Sequence, residues 1–142
     1  MSRGRRAGRY GSGSLKRRIR PMAMTLYGSQ LSPYVARVAL AARFKGMKYT
    51  LAPPPGGLKS PEFLKINPLG KIPVLKDGAT LICESAVIVE YLEAKGKTKK
   101  LVPKSAKAAA VARQVGAVAT EYVQTVVRKF FPFLQGPIEN PK

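Results

Sequence analysis

Asn67-Pro68-Leu69-Gly70-Lys71-Ile72-Pro73-Val74-Leu75 opens a segment that closes, one apolar run later, on Glu84-Ser85-Ala86-Val87-Ile88. Asn-Pro followed by Leu-Gly is turn chemistry, so the chain bends before Lys71. Ile72 to Leu75 and Thr80 to Cys83 are apolar runs joined through Lys76-Asp77-Gly78-Ala79. Asp-Gly between two such runs signals a hairpin. Ser85 then caps a helix that reaches about Ala94, with Ala86, Val87, Val89, Tyr91 and Leu92 available for burial.

Upstream of this hairpin and helix, Thr25-Leu26-Tyr27 is a short apolar strand. Ser32-Pro33 places a serine N-cap before a proline at the first helical position, and Val35, Val38, Ala39 and Ala42 follow at helical spacing. Gly46 closes that helix, and Met47 to Ala52 reads as a second strand. One helix between two strands predicts a parallel pair with a right-handed crossover. Pro53 to Gly57 is a loop, and Ser60-Pro61 repeats the cap-plus-proline signal for a short helix through about Ile66. The order β-α-β-α-β-β-α predicts an α/β domain: a four-stranded mixed sheet flanked by helices in a thioredoxin-like arrangement, over residues 24–95.

Downstream, residues 96–103 form a lysine-rich linker ending at Pro103. A helix is predicted from about Lys104 to Phe130, with Val111, Val115, Val118, Tyr122 and Val126 along one stripe and Pro132 as its stop. Residues 104–142 thus read as the start of a helical second domain. Phe130, Phe131, Phe133 and Leu134 crowd its end. Large apolar groups without a partner element imply truncation, or burial in another chain.

The totals narrow the chemistry. There is no histidine and one cysteine, Cys83, among 142 residues. No internal disulfide can form, a zinc or transition-metal site is not expected, and Ser-His-Asp and Cys-His catalysis are excluded. Cys83 ends an apolar strand and is expected to be a buried packing residue. Basic residues outnumber acidic ones 26 to 7, giving +19. Residues 1–23 are Gly-, Ser- and Arg-rich without a single acid, which predicts a disordered basic arm. No apolar stretch follows its charges, so it is not a secretory signal, and no run is long enough to span a membrane. The charge attracts anions of any size, but no aromatic residues interleave with the basic ones, so nucleic acid is not expected as a partner.

Three local features belong together: Ser32-Pro33-Tyr34, Lys71 to Leu75, and Glu84-Ser85. In their order and spacing, these and the Asn67 to Leu75 stretch resemble the signature of soluble glutathione transferases, and Leu31-Ser32-Pro33-Tyr34 resembles the serine-type classes. The likeness is close from Met24 to about Ala94 and looser up to Gln135. It implies glutathione as co-substrate with no metal, a small electrophile as second substrate, a homodimer, and a cytoplasmic, detoxifying role. It also implies that a bundle of further helices builds the electrophile pocket. The alternative is a non-catalytic glutathione-binding or protein/RNA assembly module of the same fold.

The resemblance assigns roles residue by residue. Pro73 can take a cis peptide bond at a cost of about 1 kcal/mol. In the family, that bond turns the backbone of the preceding residue, here Ile72, to pair with glutathione's cysteinyl backbone like an added strand. Ser85, at a helix start, is expected to hold the γ-glutamyl carboxylate, and Glu84 the ammonium group. Lys59 and Lys71 are candidates for the glycyl carboxylate, each with a solvated lysine as the plainer reading. Ser32 is the expected thiol activator, with Ser29 and Tyr27 as rivals. Lowering a thiol pKa from about 8.5 to about 6.5 takes roughly 2.7 kcal/mol. A charged hydrogen bond supplies about 1.5–3 kcal/mol and a helix end about 0.3–1 kcal/mol, so no histidine is needed.

Overall fold

A computed structural model describes residues 24–97 and 99–134. The expected basic arm, residues 1–23, lies outside the described residues, as does the stretch 135–142. The first unit runs β1 (Met24–Tyr27), α1 (Pro33–Phe44), β2 (Tyr49–Ala52), α2 (Pro61–Ile66), β3 (Val74–Asp77), β4 (Thr80–Cys83) and α3 (Ser85–Lys95). The strands form one mixed sheet in the order β2-β1-β3-β4. β1 pairs in parallel with β2 and antiparallel with β3, which pairs antiparallel with β4. This is the expected thioredoxin-like α/β arrangement.

The helix starts follow their caps. Ser32 accepts the Val35 N–H at 3.4 Å, Ser60 the Phe63 N–H at 3.0 Å, and each is followed by proline in the first turn. α1 ends at Lys45, and Gly46 just beyond it turns the chain at φ 67. β3 begins at Val74 rather than Ile72, because Pro73 has no N–H to give the ladder. It then continues through Asp77, so the hairpin loop is only Gly78-Ala79. Gly78, at φ 62, takes the first central position of a two-residue turn.

One sheet face carries Met24, Leu26 and Leu75, packed against Val35, Val38, Ala41 and Ala42 of α1 and Ile88 and Leu92 of α3. On the other face, Tyr27 pairs across the strands with Val74, and its ring meets the fully buried Phe63 of α2 edge-on at 6.4 Å. Burying eight large side chains to under 2% exposure, at about 1.5–3 kcal/mol each, is what holds the unit together.

The helical segment departs from the single helix expected over Lys104 to Phe130. Capped by Ser105, α4 (Ala106–Val118) passes into a π-helical turn (Ala119–Val123), α5 (Gln124–Val127) and a 3-10 segment (Arg128–Leu134) that contains Pro132. Two threonines explain the break. Thr120 Oγ1 donates to the Gly116 carbonyl at 2.8 Å, and Thr125 Oγ1 to the carbonyls of Tyr122 and Glu121 at 2.6 and 3.2 Å. Such back-bonding competes with the helix ladder. The predicted stripe is solvent-facing here: Val115 is 65% and Tyr122 70% exposed.

Candidate functional site

The register brings the three motifs together. Tyr27, Val74 and Cys83 are lateral neighbours across β1, β3 and β4. The next residues beyond them at that end of the sheet are the loop to Ser32, the Ile72-Pro73 pair, and Glu84-Ser85. Ala52, opposite Tyr27 on β2, leads at the same end into the loop carrying Lys59.

At the α1 start, Ser32 is half-buried. Its oxygen accepts the Val35 N–H, which leaves the hydroxyl proton free to donate away from the helix. Ser29 is exposed, and its oxygen accepts the Leu31 N–H at 3.3 Å. Tyr27 is committed to the sheet and to Phe63.

The Ile72–Pro73 peptide is cis, as expected, and Ile72 stands before the paired register of β3. Asn67, buried at 2% exposure, shapes the approach. Its Nδ2 donates to the Lys71 carbonyl at 2.8 Å, and its Oδ1 accepts the Leu69 N–H at 3.2 Å. Gly70, at φ 60, has no room for a side chain: a β-carbon there would stand 2.7 Å from the Leu58 carbonyl oxygen and 3.2 Å from the Lys59 ammonium. Lys59 therefore reaches back to the Gly70-Lys71 turn, and both lysines are exposed.

The α3 start corrects one expectation. Ser85 does not cap the helix but is its first residue, buried at 5% exposure, and Glu84 takes the cap position with no side-chain cap bond. The reason is backbone geometry. Glu84 lies at φ 65 and ψ 116, a region that non-glycine residues rarely enter. This turn leaves Glu84 exposed while Ser85 is buried. Strained positive-φ residues cluster at ligand clamps. Cys83, expected to be buried, is half-buried; burial and then the charge of Glu84 push its thiol pKa up, which disfavours a nucleophilic role.

One participant escaped the sequence reading. Arg37, on α1, donates from Nη1 to Ser85 Oγ at 3.2 Å. Its sequence signal is an arginine between Val35 and Val38, two core positions of an amphipathic helix, just over one turn after the Ser32 cap. Among the described residues, no group of three or more His, Cys, Asp or Glu side chains gathers as a metal site would require, and no helix is long and apolar enough to cross a membrane. A groove of about 780 Å³ runs on the β2 side of α1 past Leu40, Arg43 and Tyr49, and its lining includes neither Ser32 nor any residue of α3.

Residues 26–100 match the family model described as glutathione S-transferase, N-terminal domain. Glutathione S-transferase 3 of Zea mays is 40% identical over 91 residues, which is 61% of this chain and 41% of that protein. The crystal structure of a tau class glutathione S-transferase from mango, Mangifera indica, superposes with a TM-score of 0.68 at 32% identity, covering 76% of this chain and 50% of that one. A theta class glutathione S-transferase from the citrus canker pathogen Xanthomonas axonopodis pv. citri, solved with glutathione bound, gives 0.69 at 30% identity, covering 85% and 57%. The chain thus spans roughly half the length of these relatives.

Proposed function

This chain belongs to the glutathione S-transferase family, and from that premise we propose that it binds glutathione at the sheet end between the Ser32 and Ser85 helix starts and activates its thiol for transfer to an electrophile. The observation that carries the reading is the Tyr27–Val74–Cys83 register, which delivers three separate motifs to one place.

In this reading, the Ile72 backbone pairs with the cysteinyl residue beside Pro73. The γ-glutamyl carboxylate meets the N-terminus of α3 and the Ser85 hydroxyl, where helix ends favour anions. The exposed Glu84 carboxylate takes the ligand's ammonium. Lys59, whose ammonium reaches the Gly70 turn, and Lys71, the next residue after that turn, take the glycyl carboxylate. Ser32 donates its free hydroxyl proton to the sulfur. One charged hydrogen bond of about 1.5–3 kcal/mol favours the thiolate. The electrophile, an alkyl or aryl compound, approaches from the α4 side. Holding it for in-line attack is worth up to roughly 7–11 kcal/mol, more than thiol activation supplies. A cytoplasmic homodimer is the working form of the site in this reading.

Calorimetric titration of the folded chain with glutathione and with S-methylglutathione tests the reading. Both should bind, because the anchors lie away from the sulfur. Failure of both to bind would refute it.

A further inference from the structure

Arg37 does more than touch Ser85. Its second terminal nitrogen, Nη2, donates to Thr120 Oγ1 at 2.5 Å and to the Gly116 carbonyl at 3.4 Å. Thr120 donates in turn to that same carbonyl. A single guanidinium therefore joins the buried first residue of α3 to the place where α4 gives way to the π-helical turn. The fork is planar and its donors are fixed relative to one another, so moving one acceptor strains the others.

We infer that Arg37 is a positioning residue that couples occupancy of the α3 start to the placement of α4. The inference rests on the glutathione reading above. By filling an acceptor site on Ser85 Oγ, Arg37 leaves the hydroxyl proton to point outward at a bound carboxylate. Its charge adds to the positive end of α3. When Ser85 donates to an anion, its oxygen becomes a better acceptor, and hydrogen bonds in a chain strengthen one another. Occupancy then tightens the fork that also holds Thr120 and Gly116. Glutathione would thereby firm the helix turn that faces the incoming electrophile, and binding the first substrate would prepare the wall for the second.

Hydrogen–deuterium exchange of the whole chain, free and with saturating glutathione, paired with calorimetry, tests this in wild type, Arg37→Ala, Arg37→Lys and Thr120→Val. Arg113→Ala serves as the control, since Arg113 lies on exposed α4 surface 3.8 Å from Glu90. In wild type, glutathione should slow exchange both at 84–88 and at 114–122. Arg37→Ala should weaken binding about tenfold or more, the loss of a charged hydrogen bond, and at saturation should regain protection only at 84–88. Arg37→Lys keeps the charge without the fork, so affinity should recover in part while protection at 114–122 does not. Thr120→Val leaves the Ser85 contact intact and should lose the transmitted protection alone. Arg113→Ala should match wild type. Wild-type affinity in Arg37→Ala, or undiminished protection at 114–122, would overturn the coupling. If Arg37→Ala does not fold, the lysine and valine variants decide. If wild type binds no glutathione, the proposed function fails, and the free chains still judge the tether. Faster exchange at 114–122 in Arg37→Ala and Thr120→Val supports it, and equal exchange overturns it.

Discussion

The ammonium of Lys45, whose side chain is completely buried, lies 2.5 Å from the Glu93 carboxylate and 2.9 Å from the Lys99 carbonyl. α1, α3 and the lysine-rich linker are thereby pinned at the end of the molecule opposite Ser32 and Ser85. Gly96 is part of the pin, since a β-carbon there would stand 2.3 Å from Lys45 Cε and 2.5 Å from Met47 Cε. Lys45→Met leaves the Lys99 carbonyl without its charged donor, a loss of about 1.5–3 kcal/mol. Its melting temperature should fall clearly, and glutathione affinity of the folded variant should stay unchanged, because distant sites act independently. Calorimetric melting beside glutathione titration checks both. A parallel loss of affinity would mean that the two ends of the domain are coupled.

Acid should undo two carboxylate anchors. Hydrogen bonds from Lys95 and then Tyr91 hold Asp77 below its usual pKa, and hydrogen bonds from Lys45 and then the Leu101 N–H do the same for Glu93. A depressed folded pKa means that the unfolded chain takes up protons first as pH falls. The stabilisation is complete above the ordinary carboxylate pKa of about 4 and is lost as pH drops through the lower folded values. Melting temperature should hold from neutrality down to about pH 5 and decline below that. Asp77→Asn should start lower and decline less steeply. Parallel curves for the two proteins would exclude Asp77 as a contributor.

Most of the sheet was legible because its signals are local. Ser32-Pro33 and Ser60-Pro61 set helix starts, and Asp77-Gly78 fixed a hairpin to within a residue. The convergence of Ser32, Ile72-Pro73 and Glu84-Ser85 was legible because the thioredoxin-like fold read from the element order gathers all three at one end of the sheet. The φ of Glu84 was not, since nothing about a glutamate announces a left-handed backbone. Arg37 was missed because its acceptors, Ser85, Gly116 and Thr120, are distant in sequence. The π-helical turn was missed because an apolar stripe runs through it unbroken, while Thr120 and Thr125 quietly redirect the ladder.

Ser32 should reveal itself through the thiol. With Ser32→Ala, bound glutathione should keep near-normal affinity, but its thiol pKa should rise, read from thiolate ultraviolet absorbance against pH. Removing a charged hydrogen bond of about 1.5–3 kcal/mol corresponds to roughly one to two pKa units. The helix also loses its cap, costing about 0.5–2 kcal/mol of stability. Ser32→Thr keeps both the cap and the donor and should behave like wild type. An unshifted thiol pKa in Ser32→Ala, with a shift in Ser29→Ala, would move the role to Ser29.

Glu84 sets binding against stability, and two substitutions separate them. At φ 65 and ψ 116 any side chain with a β-carbon is strained, at a cost of about 1–3 kcal/mol. Glu84→Ala removes the carboxylate but keeps the strain. Glu84→Gly removes both, offset by about 0.5–1 kcal/mol from the freer unfolded chain. The glycine variant should therefore withstand more denaturant than the alanine variant, by up to about 2 kcal/mol. Both should bind glutathione roughly tenfold to a hundredfold more weakly, having lost the partner of its ammonium group. Paired urea melts and calorimetric titrations give the two answers independently. Equal stability of the two variants would show that the turn before Ser85 is relaxed. Undiminished glutathione binding in both would show that the carboxylate faces solvent rather than the ligand.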